Sequence, residues 1–139
     1  MEIKWFGTAS IELKNETGKI LFDPFVPLKG SNVKIQIEDF DGNDTIFVTH
    51  GHLDHIVNIP EIHKRNPNVK IYCTKTPYKA LTKKGVPETN LIKISAGEEI
   101  IVHDFKIKTY QSKHAVLQRL TLKKSTHVFT QLEAKTCHF

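Results

Sequence analysis

Apolar and polar positions fall in short blocks divided by Gly, Pro, Asn and Asp. Residues 2–6 read as a strand, followed by the small, flexible Gly7-Thr8-Ala9. In residues 10–14, Ile11 and Leu13 alternate with Glu12 and Lys14, the pattern of a half-buried strand. Asn15-Glu16-Thr17-Gly18 supplies a hairpin turn in which Gly18 is free to take positive φ. Residues 19–22 form the return strand and stop at Asp23-Pro24. Residues 45–48 are a continuous apolar run after acidic turn residues, which predicts a buried strand. Further strands are predicted over 69–73 and 90–94. Residues 98–102 and 105–110 pair as a hairpin whose turn holds His103 and Asp104, remote from the chain after residue 48.

A helix is predicted from near Asp54-His55 through Ile56, Val57, Ile59 and Ile62. Pro60 fits only in a first turn, so the helix restarts there. A second runs over 76–84, with Thr76 as cap, Pro77 in the first position and Gly85 as the stop. Residues 24–44 form a long loop of the kind that often carries function. Within it, the alternation of 33–37 predicts a short strand. Phe25, Val26 and Leu28 either close over a pocket or anchor the loop to the core. Strands alternating with helices predict an α/β (α+β) class.

Composition narrows the setting. The 139 residues suit one domain with a modest core. No stretch is long and apolar enough for a membrane span, and residues 1–5 lack the design of a secretion signal. Cys73 and Cys137 are too few for a disulfide framework, which predicts a cytoplasmic protein with Cys73 as a small buried residue. The net charge of +5 is concentrated late, with four Lys/Arg and one acid from Arg119 onward. No aromatic pattern interleaves with that basic tail, so a nucleic-acid partner is not the expectation.

One segment does not read as ordinary packing. Thr49-His50-Gly51-His52-Leu53-Asp54-His55 follows directly on the buried strand. Loops at the carboxyl ends of strands carry the chemistry of open α/β sheets. His50 and His52, two apart, point the same way on an extended backbone. Asp54 and His55 can aim at a second point nearby. Imidazole and carboxylate suit zinc, with manganese or iron also compatible. The layout is that of a two-metal hydrolytic site, with Asp54 able to take a proton or steer a water. His63 lies beside Lys64 and Arg65 at a predicted helix end and reads as structural, as does His103.

The segment His50-Gly51-His52-Leu53-Asp54-His55 resembles the signature of the metallo-β-lactamase superfamily. Ile3-Lys4-Trp5-Phe6-Gly7-Thr8-Ala9-Ser10 and Ile20-Leu21-Phe22-Asp23-Pro24 are similar to the opening of its small, single-domain, lactonase-like branch. The resemblance implies an αββα sandwich, of which this chain holds the half with a mixed sheet and flanking helices. It implies a metal-dependent hydrolase that attacks an ester, lactone or phosphodiester with an activated water. Zinc, as one or two ions, is the implied cofactor. His50, His52 and His114 would hold one ion, and Asp54 and His55 would contribute to the second. Asp23 would sit beneath the metal loop and orient it.

That resemblance covers residues 1 to about 115. The superfamily's later ligands, an Asp in Gly-Asp-Thr and a last His, have no counterpart. No Asp follows Asp104, and His127 and His138 lack the placement. The chain therefore reads as a truncated or frame-shifted member, with an incomplete domain over 1–118 and an atypical basic tail over 119–139. An inactive metal-binding fragment is the second reading, and a basic nucleic-acid-binding protein the third. Without a second sheet about 10 Å away, the first sheet's inner face is expected to stay exposed and favour a homodimer.

Overall fold

A computed structural model of the chain describes residues 1–27, 30–113, 117–123, 126–132 and 135–138, with side chains described up to Ser112. β1 (Glu2–Gly7), β2 (Ser10–Lys14) and β3 (Lys19–Phe22) form an antiparallel meander. β4 (Thr45–Val48), β5 (Lys70–Cys73) and β6 (Leu91–Lys93) then add in parallel, giving a six-stranded mixed sheet in the order β1-β2-β3-β4-β5-β6. All four residues of β4 are buried. That is what a central strand covered on both faces requires, and why its sequence is a run rather than an alternation.

The two faces bury different sets. α1 (Leu53–Ile56), α2 (Ile59–Arg65) and α3 (Lys75–Lys83) cover one face. There Ile56, Ile59, Ile62 and Leu81 pack with Leu21, Ile46, Val48, Ile71 and Cys73. Burial pushes the Cys73 thiol up to about 12, so it is a packing group rather than a nucleophile. On the other face the rings of Phe22, Phe47 and Tyr72 stack across β3, β4 and β5, with centroids 5.5 and 4.6 Å apart. A hairpin of β7 (Glu99–Val102) and β8 (Phe105–Lys108) closes on that face, burying Ile107 with Ile20, Phe47 and Ile94. Each such side chain contributes about 1.5–3 kcal/mol on full burial, so these two layers hold β4 fixed. The face expected to stay exposed is thus covered in part. Ile3 and Trp5, paired with Leu13 and Ile11 on that face, remain 64% and 69% exposed.

Several boundaries differ from expectation. Residues 33–37 form no strand. Ile35 and Ile37 instead pack against the helix-side core, and a 3-10 turn follows at Ile37–Phe40. The alternation there reflects anchoring of the loop, and Arg65 on α2 pins the next stretch by ion pairs to Glu38 and Asp41. The break before Pro60 is present, with α2 restarting at Ile59. α3 starts at Lys75 after Thr74, because proline is tolerated anywhere in a first turn and does not mark its first residue. The strand predicted over 105–110 breaks at Thr109. Its buried hydroxyl donates to the Ser95 carbonyl at 2.6 Å and accepts from the Glu98 N–H at 2.9 Å. β9 (Tyr110–Lys113) then pairs with β12 (Lys135–His138), and β10 (Leu117–Lys123) with β11 (Thr126–Leu132). Leu28 lies outside the described residues. Among the described residues no helix is long and apolar enough to cross a membrane.

Gly18 has a different role from the one expected. Its φ is not positive. A Cβ there would lie 2.3 Å from Nδ1 of His103, whose ring occupies the space. His103 sits in the β7–β8 turn, with Nε2 2.8 Å from Asp44 Oδ1, and its carbonyl accepts from Asn15 Nδ2 and Thr17 Oγ1. It therefore ties the second-face hairpin to the meander and to the entry of β4. Gly18→Ala is expected to destabilise by about 1–3 kcal/mol, the usual cost of overpacking, read as a lower urea midpoint. In a His103→Ala background the same change is expected to be nearly neutral. Equal costs in both backgrounds would remove the steric explanation.

Candidate metal centre

Parallel pairing brings the end of β3 beside the end of β4, and Asp23 and Thr49 are the first residues beyond them. Asp23 is 2% exposed and holds φ at +43°, in the left-handed region. That conformation costs a non-glycine residue about 1–2 kcal/mol. Hydrogen bonds on both sides hold it. The Asp23 N–H donates to the Phe47 carbonyl at 3.0 Å, and the Ser10 hydroxyl donates to the Asp23 carbonyl at 2.6 Å. The twisted backbone turns the carboxylate under the loop that leaves β4.

Three donors meet that carboxylate. The Thr49 N–H donates to Oδ1 at 2.9 Å, and the Thr49 hydroxyl donates to Oδ2 at 2.7 Å. His55 Nδ1 lies 2.9 Å from Oδ2. Bonds to a charged group contribute about 1.5–3 kcal/mol each, enough together to offset the strained backbone.

Above this base the imidazoles gather. His50 Nε2 and His52 Nδ1 converge to 2.8 Å. His52 also stands at the cap position just before α1, where its side chain makes no cap bond and its ring faces His50. The His50 and His55 rings have centroids 3.9 Å apart. Asp54, half exposed, has Oδ2 3.7 Å from His55 Nε2. Gly51 keeps the loop close to α3, since a Cβ there would meet Thr76 Cγ2 at 3.1 Å.

The sequence-predicted residues Asp23, His50, His52, Asp54 and His55 thus line one cavity of ≈ 680 Å³. Ala9, Ile11, Leu13 and Phe22 form its apolar wall. Two nitrogens converging on one point fit a cation. Tetrahedral ligands at about 2.0–2.1 Å from zinc stand about 3.3–3.4 Å apart, so the two rings would part by roughly half an ångström to hold one. Asp54 and His55 form a second, adjacent pair rather than joining the first. Among the described residues no group of three or more His, Cys, Asp or Glu is gathered for a metal. His114, expected as the third ligand, lies outside the described residues. Thr49, which touches Asp23, His50 and His55, shows no functional signal in the sequence. A hydroxyl beside a histidine cluster carries no spacing signal.

Residues 18–135 match the family described as the beta-lactamase superfamily domain. The chain belongs to that superfamily. A UPF0173 metal-dependent hydrolase of Methanobrevibacter smithii is 33% identical over 116 residues, which is 83% of this chain and 46% of that protein. One of Polynucleobacter asymbioticus is 31% identical over 122 residues, 84% of this chain and 42% of that protein. The chain spans about half the length of the curated relatives it matches. Among solved structures, Igni18, a metallo hydrolase of Ignicoccus hospitalis, shares the fold at TM-score 0.58 and 20% identity, covering 96% of this chain and 55% of its own. The metallo-β-lactamase SMB-1 does so at 0.53 and 15%, covering 91% and 58%. The mixed sheet with helices on one face is therefore the metallo-β-lactamase fold.

In this superfamily member, His55 has a perturbed pKa. Burial disfavours its charged form most strongly. The hydrogen bond to Asp23 and the charges of Asp23 and Asp54 outweigh that, so the pKa lies above the ordinary histidine value. The stabilisation from protonated His55 is complete below about pH 6.5 and is lost as pH rises through the folded-state pKa. In chelator-treated protein, the NMR titration of His55 is expected to have its midpoint above that of an unconstrained histidine. Asp23→Asn is expected to bring it down. An unchanged midpoint in Asp23→Asn would contradict the assignment of the cause.

Proposed function

We propose that this chain carries the metal-binding half of a metal-dependent hydrolase whose substrate is an ester, lactone or phosphodiester. The single observation that supports this best is the convergence of His50 Nε2 and His52 Nδ1 at 2.8 Å over a buried carboxylate. Zinc is the ion that nitrogen and oxygen donors suit, and manganese or iron are compatible. Once bound, such an ion supplies Lewis acidity and a water whose pKa is lowered toward 7.

The rest of the reaction falls to the chain. His50 and His52 present the first pair of donor nitrogens. His55, anchored through Nδ1 to Asp23, turns Nε2 toward Asp54. Asp54 sits half exposed on the cavity wall, where it can accept a proton from the attacking water or steer it. The wall of Ala9, Ile11, Leu13 and Phe22 keeps bulk water from the apolar side of a substrate.

A second reading is a metal-binding protein without turnover of its own. It is favoured by the gathering of no more than two metal-ligating side chains at one point among the described residues. Metal content by mass spectrometry, together with turnover of a generic phosphodiester and a generic ester under added zinc or manganese, separates the two. The first reading expects bound metal and turnover lost in His52→Ala. Bound metal with no turnover selects the second. No metal in the native or reconstituted protein would reject both.

A further inference from the structure

We propose that Thr49 is a positioning residue whose hydroxyl fixes His50 as the Nδ1–H tautomer, leaving Nε2 unprotonated toward His52. The inference concerns the chain's own protons, and it bears on metal capture only through the reading above.

Thr49 Oγ1 has one proton to give and two lone pairs to offer. It faces three groups: Asp23 Oδ2 at 2.7 Å, His50 Nδ1 at 2.9 Å and His55 Nδ1 at 3.3 Å. A carboxylate oxygen only accepts, so the single proton goes to Asp23. Toward His50 the hydroxyl then has only lone pairs, and His50 Nδ1 must be the donor. A neutral imidazole with its proton on Nδ1 has a lone pair on Nε2.

That lone pair faces Nδ1 of His52 at 2.8 Å. His50 is thereby held in the tautomer whose Nε2 can donate to a cation. His55 follows the same logic through a direct bond. Its Nδ1 is 2.9 Å from Asp23 Oδ2, closer than to the hydroxyl, so its Nε2 is also the outward nitrogen.

Position makes this possible. The Thr49 N–H is held by Asp23 Oδ1 while its hydroxyl is held by Oδ2. This two-point grip sets the side chain so that the remaining lone pairs point at the imidazoles. Outer contacts of this type usually change metal affinity by about 10–100-fold.

The test uses the full chain with histidine labelled by nitrogen-15. The tautomer of His50 is read by NMR in chelator-treated protein, its signal assigned with His50→Gln. Wild type and Thr49→Ser are expected to show Nδ1–H at His50. Thr49→Val, which keeps the shape and loses the hydroxyl, is expected to show a population of Nε2–H. In competition with a chromophoric chelator, Thr49→Val is expected to bind zinc about 10–100-fold more weakly, and Thr49→Ser to recover most of that loss. A wild-type His50 found as Nε2–H would overturn the proposal, even if Thr49→Val does not fold. So would a folded Thr49→Val that keeps Nδ1–H. If the tautomers behave as expected and no form binds zinc, the proton assignment stands and the metal reading falls.

Discussion

The grip of the Asp23 carboxylate on Thr49 and His55 is the contact on which the rest of this site depends. Asp23 is buried and backbone-strained, and neither condition persists without compensation. The main-chain bonds to Phe47 and Ser10 keep its backbone in place. The side-chain bonds then convert that fixed point into the shape of the next loop. Without them, the residues after β4 would have no reason to fold back toward β3, and His50 and His52 would lose their shared direction.

The fold exists around this contact in a definite way. β3 and β4 are parallel neighbours, so their carboxyl ends emerge together. β4 is held between the helix-side core and the ring stack of Phe22, Phe47 and Tyr72. The histidine loop is thereby carried by the most buried strand of the sheet. His103 adds a second tie, binding the β7–β8 turn to Asp44 just before β4 begins. The strand that delivers the histidines is fixed at both ends.

Much of this was legible in the residues. β1 to β4 follow from alternation, from the Asn15–Gly18 turn and from one apolar run, because turn chemistry and period act locally. The histidine loop is legible because three imidazoles and a carboxylate within six residues are rarely a packing accident. The support from Asp23 came from family resemblance, since two residues 26 apart show no spacing that predicts their contact. What stayed hidden was tertiary. Residues 33–37 alternate like a strand yet serve as anchors. Gly18 reads as a conformational glycine yet makes room for a ring. Thr49 reads as a strand-end residue, and only the folded chain brings its hydroxyl among three partners.

Anomalous diffraction at the zinc edge, on crystals of the full chain grown with zinc, locates any cation held by the histidine pair. The expected result is a peak bonded by His50 Nε2 and His52 Nδ1 at about 2.0–2.1 Å, with Asp23 still beneath Thr49. A peak bound elsewhere, or full zinc loading with those two nitrogens still in contact with each other, would contradict it.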